Sequence, residues 1–156
     1  MNNKRRLVLK GTVAAGSVGM AVGAGLLTPN TAMAAWSEKA FKANSVKDAL
    51  ADLGMGDTGA ESADITIKAP DIAENGSVVP VTVSTTMDNV ERITIFVENN
   101  NTPLTSSYDM TAASVGFVAT RVKMSKTSNV VAVVTAGGKN FSAKKEVKVT
   151  IGGCGG

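Results

Sequence analysis

Hydrophobic residues recur at every second position through most of the chain beyond Asp64. Ile65 and Ile67 alternate with Thr66 and Lys68, and Val79, Val81 and Val83 alternate with Pro80, Thr82 and Ser84. Ile93, Ile95 and Val97 alternate with Thr94, Phe96 and Glu98. Val118, Thr120, Val122 and Met124 follow, and Val147, Val149 and Ile151 alternate with Glu146, Lys148 and Thr150. A repeat of two is that of a strand with one buried face. Turn-forming residues separate the runs, at Glu74-Asn75-Gly76, Asn99–Pro103, Ser125–Ser128 and Gly137–Asn140. Proline cannot donate to a ladder, so Pro80 marks an edge strand or a strand start. Val130–Val134 is apolar on both faces and calls for a cover on each side. One side is the core; the other is the N-terminal helix or another protein, and outward Phe96 poses the same question. About seven short strands with regular turns predict an antiparallel, immunoglobulin-like β-sandwich.

Upstream the period lengthens. Val46, Ala49, Leu50 and Leu53 follow helical spacing, Ser45 with Asp48 makes a capping-box-like start, and Gly54 is a natural stop. Trp36, Ala40 and Phe41 form a second apolar strip, expected to pack onto the domain. Gly54–Gly59 reads as a flexible link.

The start of the chain has a different composition. Lys4, Arg5, Arg6 and Lys10 precede a weakly apolar, Gly- and Ala-rich stretch from Gly11 to Leu27, and Ala32-Met33-Ala34 is a small-x-small cleavage pattern. The paired arginines with Val8-Leu9-Lys10 resemble a twin-arginine export signal, although Lys4 and Val8 depart from its usual residues. The expected organisation is a signal peptide over 1–34, a helical segment and link over 35–59, a β-sandwich over 60–151 and a glycine-rich C-terminal arm over 152–156. Cleavage before Ala35 also changes the charge. Removing four basic residues from 16 leaves 12 against 13 acids, a formal −1, so no nucleic-acid partner and no lasting membrane anchor are implied.

Histidine is absent and there is one cysteine. That composition provides no Ser–His–acid triad, no Cys–His pair, no credible zinc site and no blue-copper ligand set. No catalytic residue, metal or cofactor is therefore expected. What remains is Cys154 between Gly152-Gly153 and Gly155-Gly156. Glycines pack nothing and keep the backbone narrow. The position of Cys154 suits neither prenylation nor a lipoprotein. Nothing nearby in sequence lowers its thiol pKa from roughly 8.5, and the adjacent terminal carboxylate opposes ionisation. Cys154 thus reads as an attachment point, activated by whatever protein receives it. Counted from Ile151, covalent geometry lets it reach roughly 10 Å beyond the sandwich.

Several segments resemble the SoxY family of sulfur-carrier subunits. They are Val147–Gly156 with its Gly-Gly-Cys-Gly-Gly end, Ala69–Gly76 with Val78–Val81, Thr120–Met124, the helix around Ser45–Leu50 and the leader. The resemblance implies that substrate sulfur is bound covalently to Cys154 and that Gly152, Gly153, Gly155 and Gly156 form the arm presenting it. It further implies a heterodimer with a SoxZ-like subunit. A SoxAX-like cytochrome complex would load thiosulfate, a SoxB-like hydrolase release sulfate, and a SoxCD-like dehydrogenase oxidise the remaining sulfane sulfur. Three other readings stay open on the residues alone, and one of them, a thiol-dependent enzyme, is disfavoured because no base lies beside Cys154 and one would have to come from a partner chain. An adaptor tethered by a Cys154 disulfide would show a stable mixed disulfide and no sulfur transfer. A thiocarboxylate carrier ending in Gly-Gly would need ATP-dependent activation and leave Cys154 without a role.

Overall fold

The computed structural model describes residues 37–150. Two sheets carry the alternating runs. One is built from β1 (Ala60–Glu61), β5 (Val90–Val97), β6 (Leu104–Asp109), β8 (Ser128–Ala136) and β9 (Lys139–Val149), in the order β1–β9–β8–β5–β6. The other is built from β2 (Ile65–Lys68), β4 (Val79–Thr85) and β7 (Phe117–Val122), in the order β2–β4–β7. The ladders are antiparallel except along the outer edge of β9. There β1 and a second two-residue strand, β3 (Ile72–Ala73), run parallel to it, at Phe141–Ser142 and Lys148–Val149 respectively. Covering an otherwise open edge in two short pieces limits pairing with another chain.

The core follows from the alternation. Val79, Val81 and Val83 of β4 with Ile65, Val118 and Val122 face Ile93, Ile95 and Val97 of β5, and Val130, Ala132 and Val134 of β8, across the sandwich. The opposite face of β5 and β8 holds Phe96, Val131 and Val133. A second apolar cluster seals these against Ala40, Ala49, Leu50 and Met55. Phe96 and Val133 are fully buried and Val131 is almost so. The second cover of the two-faced run is therefore the chain's own helical layer, and these residues are not available as a surface for another protein.

That layer consists of two short helices, α1 (Glu38–Lys42) and α2 (Val46–Asp52), broken at Ala43. Ser45 caps α2 by accepting from the Asp48 N–H, as the capping pattern predicts. Its C-terminus is a Schellman turn. The Met55 N–H donates to the Leu50 carbonyl at 2.8 Å and the Gly54 N–H to that of Ala51 at 3.0 Å, with Gly54 at φ +72°. Met55 then turns back into the apolar cluster beside Leu50. The segment 54–59 is accordingly not a loose link. It is tied again by Asn140 Nδ2 donating to the Asp57 carbonyl, and by Gly59, whose backbone lies against Asn140.

Two strand details depart from simple alternation. Pro80 lies in β4, the middle strand of its sheet, but β2 pairs with β4 only from Thr82 to Thr85. At Pro80 the strand has a single neighbour, β7, so a missing N–H is tolerated there. Strand β6, Leu-Thr-Ser-Ser-Tyr-Asp, gives no clear period. A register shift against Ile95 and Phe96 puts Leu104 with the helical cluster and Tyr108 with the sandwich core, although both have even numbers. Among the described residues, no helix is long and apolar enough to cross a membrane.

Candidate functional site

All five residues expected to carry function, Cys154 and Gly152, Gly153, Gly155 and Gly156, lie outside the described residues, as does Ile151. What the structure defines is the root from which that segment departs. Consecutive backbone N–H groups of a strand point to opposite edges, and the last three described residues use both. Lys148 N–H donates to the Asp71 carbonyl at 2.9 Å on one side. Val149 N–H donates to Thr127 Oγ1 at 3.0 Å on the other. Thr150 N–H returns to the first side, to the Ala73 carbonyl at 3.2 Å, and its hydroxyl donates to the Glu74 carbonyl. Val147 is fully buried and Val149 packs against the core, while Lys145 pairs with Asp71 at 3.0 Å. The chain is thus held on both edges up to Thr150. From there, four residues of covalent geometry put Cys154 at most about 13–14 Å from Thr150.

Thr127 and the carbonyls of Ala73 and Glu74 were not singled out by sequence reasoning, which took both segments as turns. A side-chain hydroxyl replacing a ladder carbonyl leaves no period to detect. Thr127→Val should remove the acceptor of the Val149 amide and leave it to water at this exposed position, at a cost of about 0.5–1 kcal/mol. Hydrogen exchange at Val149 should accelerate in that variant while exchange in β5 stays slow.

The same end of the sandwich carries a polar cluster. Asn100 donates to the Lys123 carbonyl at 2.7 Å and accepts from the Ser125 N–H and hydroxyl, which joins the 98–103 and 123–128 turns. A shallow cavity of about 180 Å³ lies beside them, lined by Asn100, Asn101, Thr102, Lys123 and Ser125. Nearby, burial pushes the Glu98 carboxyl up. Hydrogen bonds from Asn129 at 2.8 Å and Lys144 at 3.1 Å, with the Lys144 charge, outweigh burial and hold it below the ordinary value of 4.5. A lowered folded value means that this contribution is complete above the unfolded value and is lost as pH falls through the folded one. Lys144→Met should therefore reduce the loss of stability on acidification below pH 4.5, read from urea midpoints across that range. Among the described residues, no three His, Cys, Asp or Glu side chains form a group that could hold a metal. The described surface offers an anchored strand end and ordinary polar turns, and no assembled set of reacting groups.

Comparisons with known proteins agree with this geometry. The family model for sulfur oxidation protein SoxY matches residues 51–154. The solved sulfur carrier protein SoxY from Chlorobium limicola f thiosulfatophilum is similar at 45% identity and a TM-score of 0.61, covering 69% of this chain and 97% of that one. A superoxide reductase (neelaredoxin) from Ignicoccus hospitalis has 17% identity and a TM-score of 0.50, over 55% of this chain and 80% of that one. A substituted form of the same reductase gives 19% and 0.51, over 58% and 83%. These two likenesses concern the sandwich fold alone. No curated protein matches the sequence. The match over two thirds of the length, together with the near-complete overlap with a sulfur carrier of the same fold, places this chain in the SoxY family of sulfur oxidation proteins.

Proposed function

We propose that this protein is the covalent carrier of sulfur in thiosulfate oxidation, and that Cys154 holds the intermediates. The observation that carries the reading is the combination of a strand end tied on both edges at Thr150 with a lone cysteine, set among glycines, four residues further on. Such a thiol has a fixed origin and a narrow tether. It can enter a recessed active site while the sandwich stays outside.

The chemistry belongs to the receiving enzymes. In the loading step the thiol loses its proton and two electrons pass to a SoxAX-like cytochrome complex. A bond forms between Cys154 Sγ and the outer sulfur of thiosulfate, leaving a cysteine S-thiosulfonate. A SoxB-like hydrolase then adds water across the terminal sulfone, sulfate departs, and a persulfide stays on Cys154. A SoxCD-like dehydrogenase, where one operates, oxidises that sulfur before a second hydrolysis. The chain itself supplies attachment and presentation, with no catalytic residue. Export by the twin-arginine route fits this role, because it moves folded protein and allows a SoxZ-like subunit to travel as a passenger in a heterodimer. The site of action is then the periplasm.

The test is the intact mass of the periplasmic protein after growth with thiosulfate, before and after reduction. Reducible thiosulfonate or polysulfur increments that map to Cys154 are expected. A bare thiol, or only a mixed disulfide with another protein, would overturn the carrier reading in favour of a tethered adaptor.

A further inference from the structure

The two sheets differ in what covers them. The outer face of β5 and β8 lies under α1 and α2. The outer face of β2–β4–β7 is bare among the described residues. Its outward positions are Thr66 and Lys68 on β2, Pro80, Thr82 and Ser84 on β4, and Phe117, Ala119 and Arg121 on β7. Register sets them in cross-strand rows. Thr66, Ser84 and Phe117 form one, Lys68, Thr82 and Ala119 the next, and Pro80 with Arg121 the last.

Three properties set this face apart. First, it presents a large aromatic side chain in a fixed position. Phe117 is 53% exposed and Val115 beside it 76%. Gly116 between them sits so close to β4 that a Cβ there would lie 2.7 Å from Thr85 Cγ2, and its carbonyl accepts from the Thr85 N–H at 2.8 Å. Second, its charge is of one sign. No Asp or Glu occurs anywhere in β2, β4 or β7, whereas Lys68 and Arg121 point outward and neither forms an ion pair within the described chain. The chain expected after export is slightly acidic overall, so this face runs against the average. Third, β7 is an edge strand paired only with β4 and carries no proline, so its outer backbone is open to another strand.

We infer that the β2–β4–β7 face, with the free edge of β7, is the surface that binds the second subunit, and that this subunit meets it with apolar side chains flanked by carboxylates. The inference rests on the heterodimer proposed above and assigns its surface. Charge selects the occupant. A second copy of this chain would set Lys68 and Arg121 against cations of their own kind, whereas an acidic rim on a different protein pairs with both. Size agrees with a shared surface. Three strands about 4.8 Å apart, of four, seven and six residues in β2, β4 and β7, give a face of at most about 10 by 20 Å, less than a standard interface, so Val115 and the β7 edge are buried with it. The face also begins at the arm end of the sandwich, because β4 follows directly on the Glu74–Val78 turn whose first carbonyl holds Thr150. A subunit seated here lies beside the root of the arm.

The test uses the full mature chain and a SoxZ-like subunit from the same cell, with the dissociation constant measured by titration calorimetry at two salt concentrations. Phe117→Asp should weaken the complex at least tenfold. The Lys68→Glu, Arg121→Glu pair should weaken it about tenfold and flatten its salt dependence. Lys47→Glu, on the exposed side of α2, should change nothing. Melting curves of the free variants verify that each is folded. If the wild-type complex forms and both face variants bind like wild type, the surface assignment is wrong and the heterodimer stands. If no complex forms with the wild-type chain, or if it self-associates through Phe117, the heterodimer and the assignment both fall.

Discussion

Cys154→Ala is expected to abolish every thiosulfate-dependent mass increment on this protein and to leave its fold untouched. The physical reason is that the chain has one thiol and seven thioethers. Only a thiolate forms a stable sulfur–sulfur bond under mild oxidation. The substitution lies beyond Thr150, the last described residue, and touches none of the sandwich core described above, so the stability change should stay within about 0.5 kcal/mol. Intact-mass measurement of wild type and variant from thiosulfate-grown cells reads the first effect, and urea denaturation the second. Thiosulfate-dependent respiration should fall to background with the adduct. A variant that kept its increment would move attachment away from Cys154. Retention as a terminal thiocarboxylate would convert the protein to a carrier of another class.

Phe96→Ala is the substitution within the described fold with the largest expected cost, about 3–5 kcal/mol. Phe96 has no exposed surface, although it points out of the sandwich. It stands on β5 between Leu104 of β6 and Val131 of β8, and the helical layer closes over it through Leu50, Ala49 and Met55. Truncation removes the central side chain from a cluster too rigidly held to collapse, because the Schellman turn at Gly54 and the Asn140–Asp57 hydrogen bond fix the approach of α2. Domains of this kind are stable by only about 5–15 kcal/mol, so roughly a fifth or more of the total is at stake. Equilibrium urea unfolding should show one transition at a lower midpoint with its slope unchanged. A loss below about 1 kcal/mol would mean that the helices contribute little to the folded unit and that the outer face of β8 is in effect a free surface.

These two positions also differ in how far a sequence can speak for them. Cys154 is legible because its signal is compositional. A single thiol among glycines, in a chain without histidine, needs no third dimension to be singled out as the candidate attachment point proposed above. Phe96 is different. Alternation correctly sends it out of the sandwich, and nothing in the period says whether water, a helix or a partner lies there. The Ser45–Asp48 cap and the Gly54 stop were readable as a helix, but their docking over β8 was not, because a local pattern reports which face is apolar and not what meets it.

Other residues were hidden for definite reasons. Strand β6 has three hydroxyl residues in its interior and a register shift, which together remove the alternation. Strands β1 and β3 are two residues long, too short for any period, and pair with β9 far away in sequence. Thr127 acts through one hydroxyl that replaces a backbone carbonyl. The bare face of β2–β4–β7 lay among ordinary solvent positions, and its one-signed charge emerged only when the register set Lys68, Phe117 and Arg121 on the same side.

The sandwich class, the capped helix and the lone glycine-flanked thiol follow from the chain alone, because each rests on local periodicity or composition. Which sheet the helices cover, which face stays open, and how β9 is gripped at its last residues follow only from long-range pairing. Residues 59 and 140, 73 and 150, and 127 and 149 meet through contacts that no local pattern encodes.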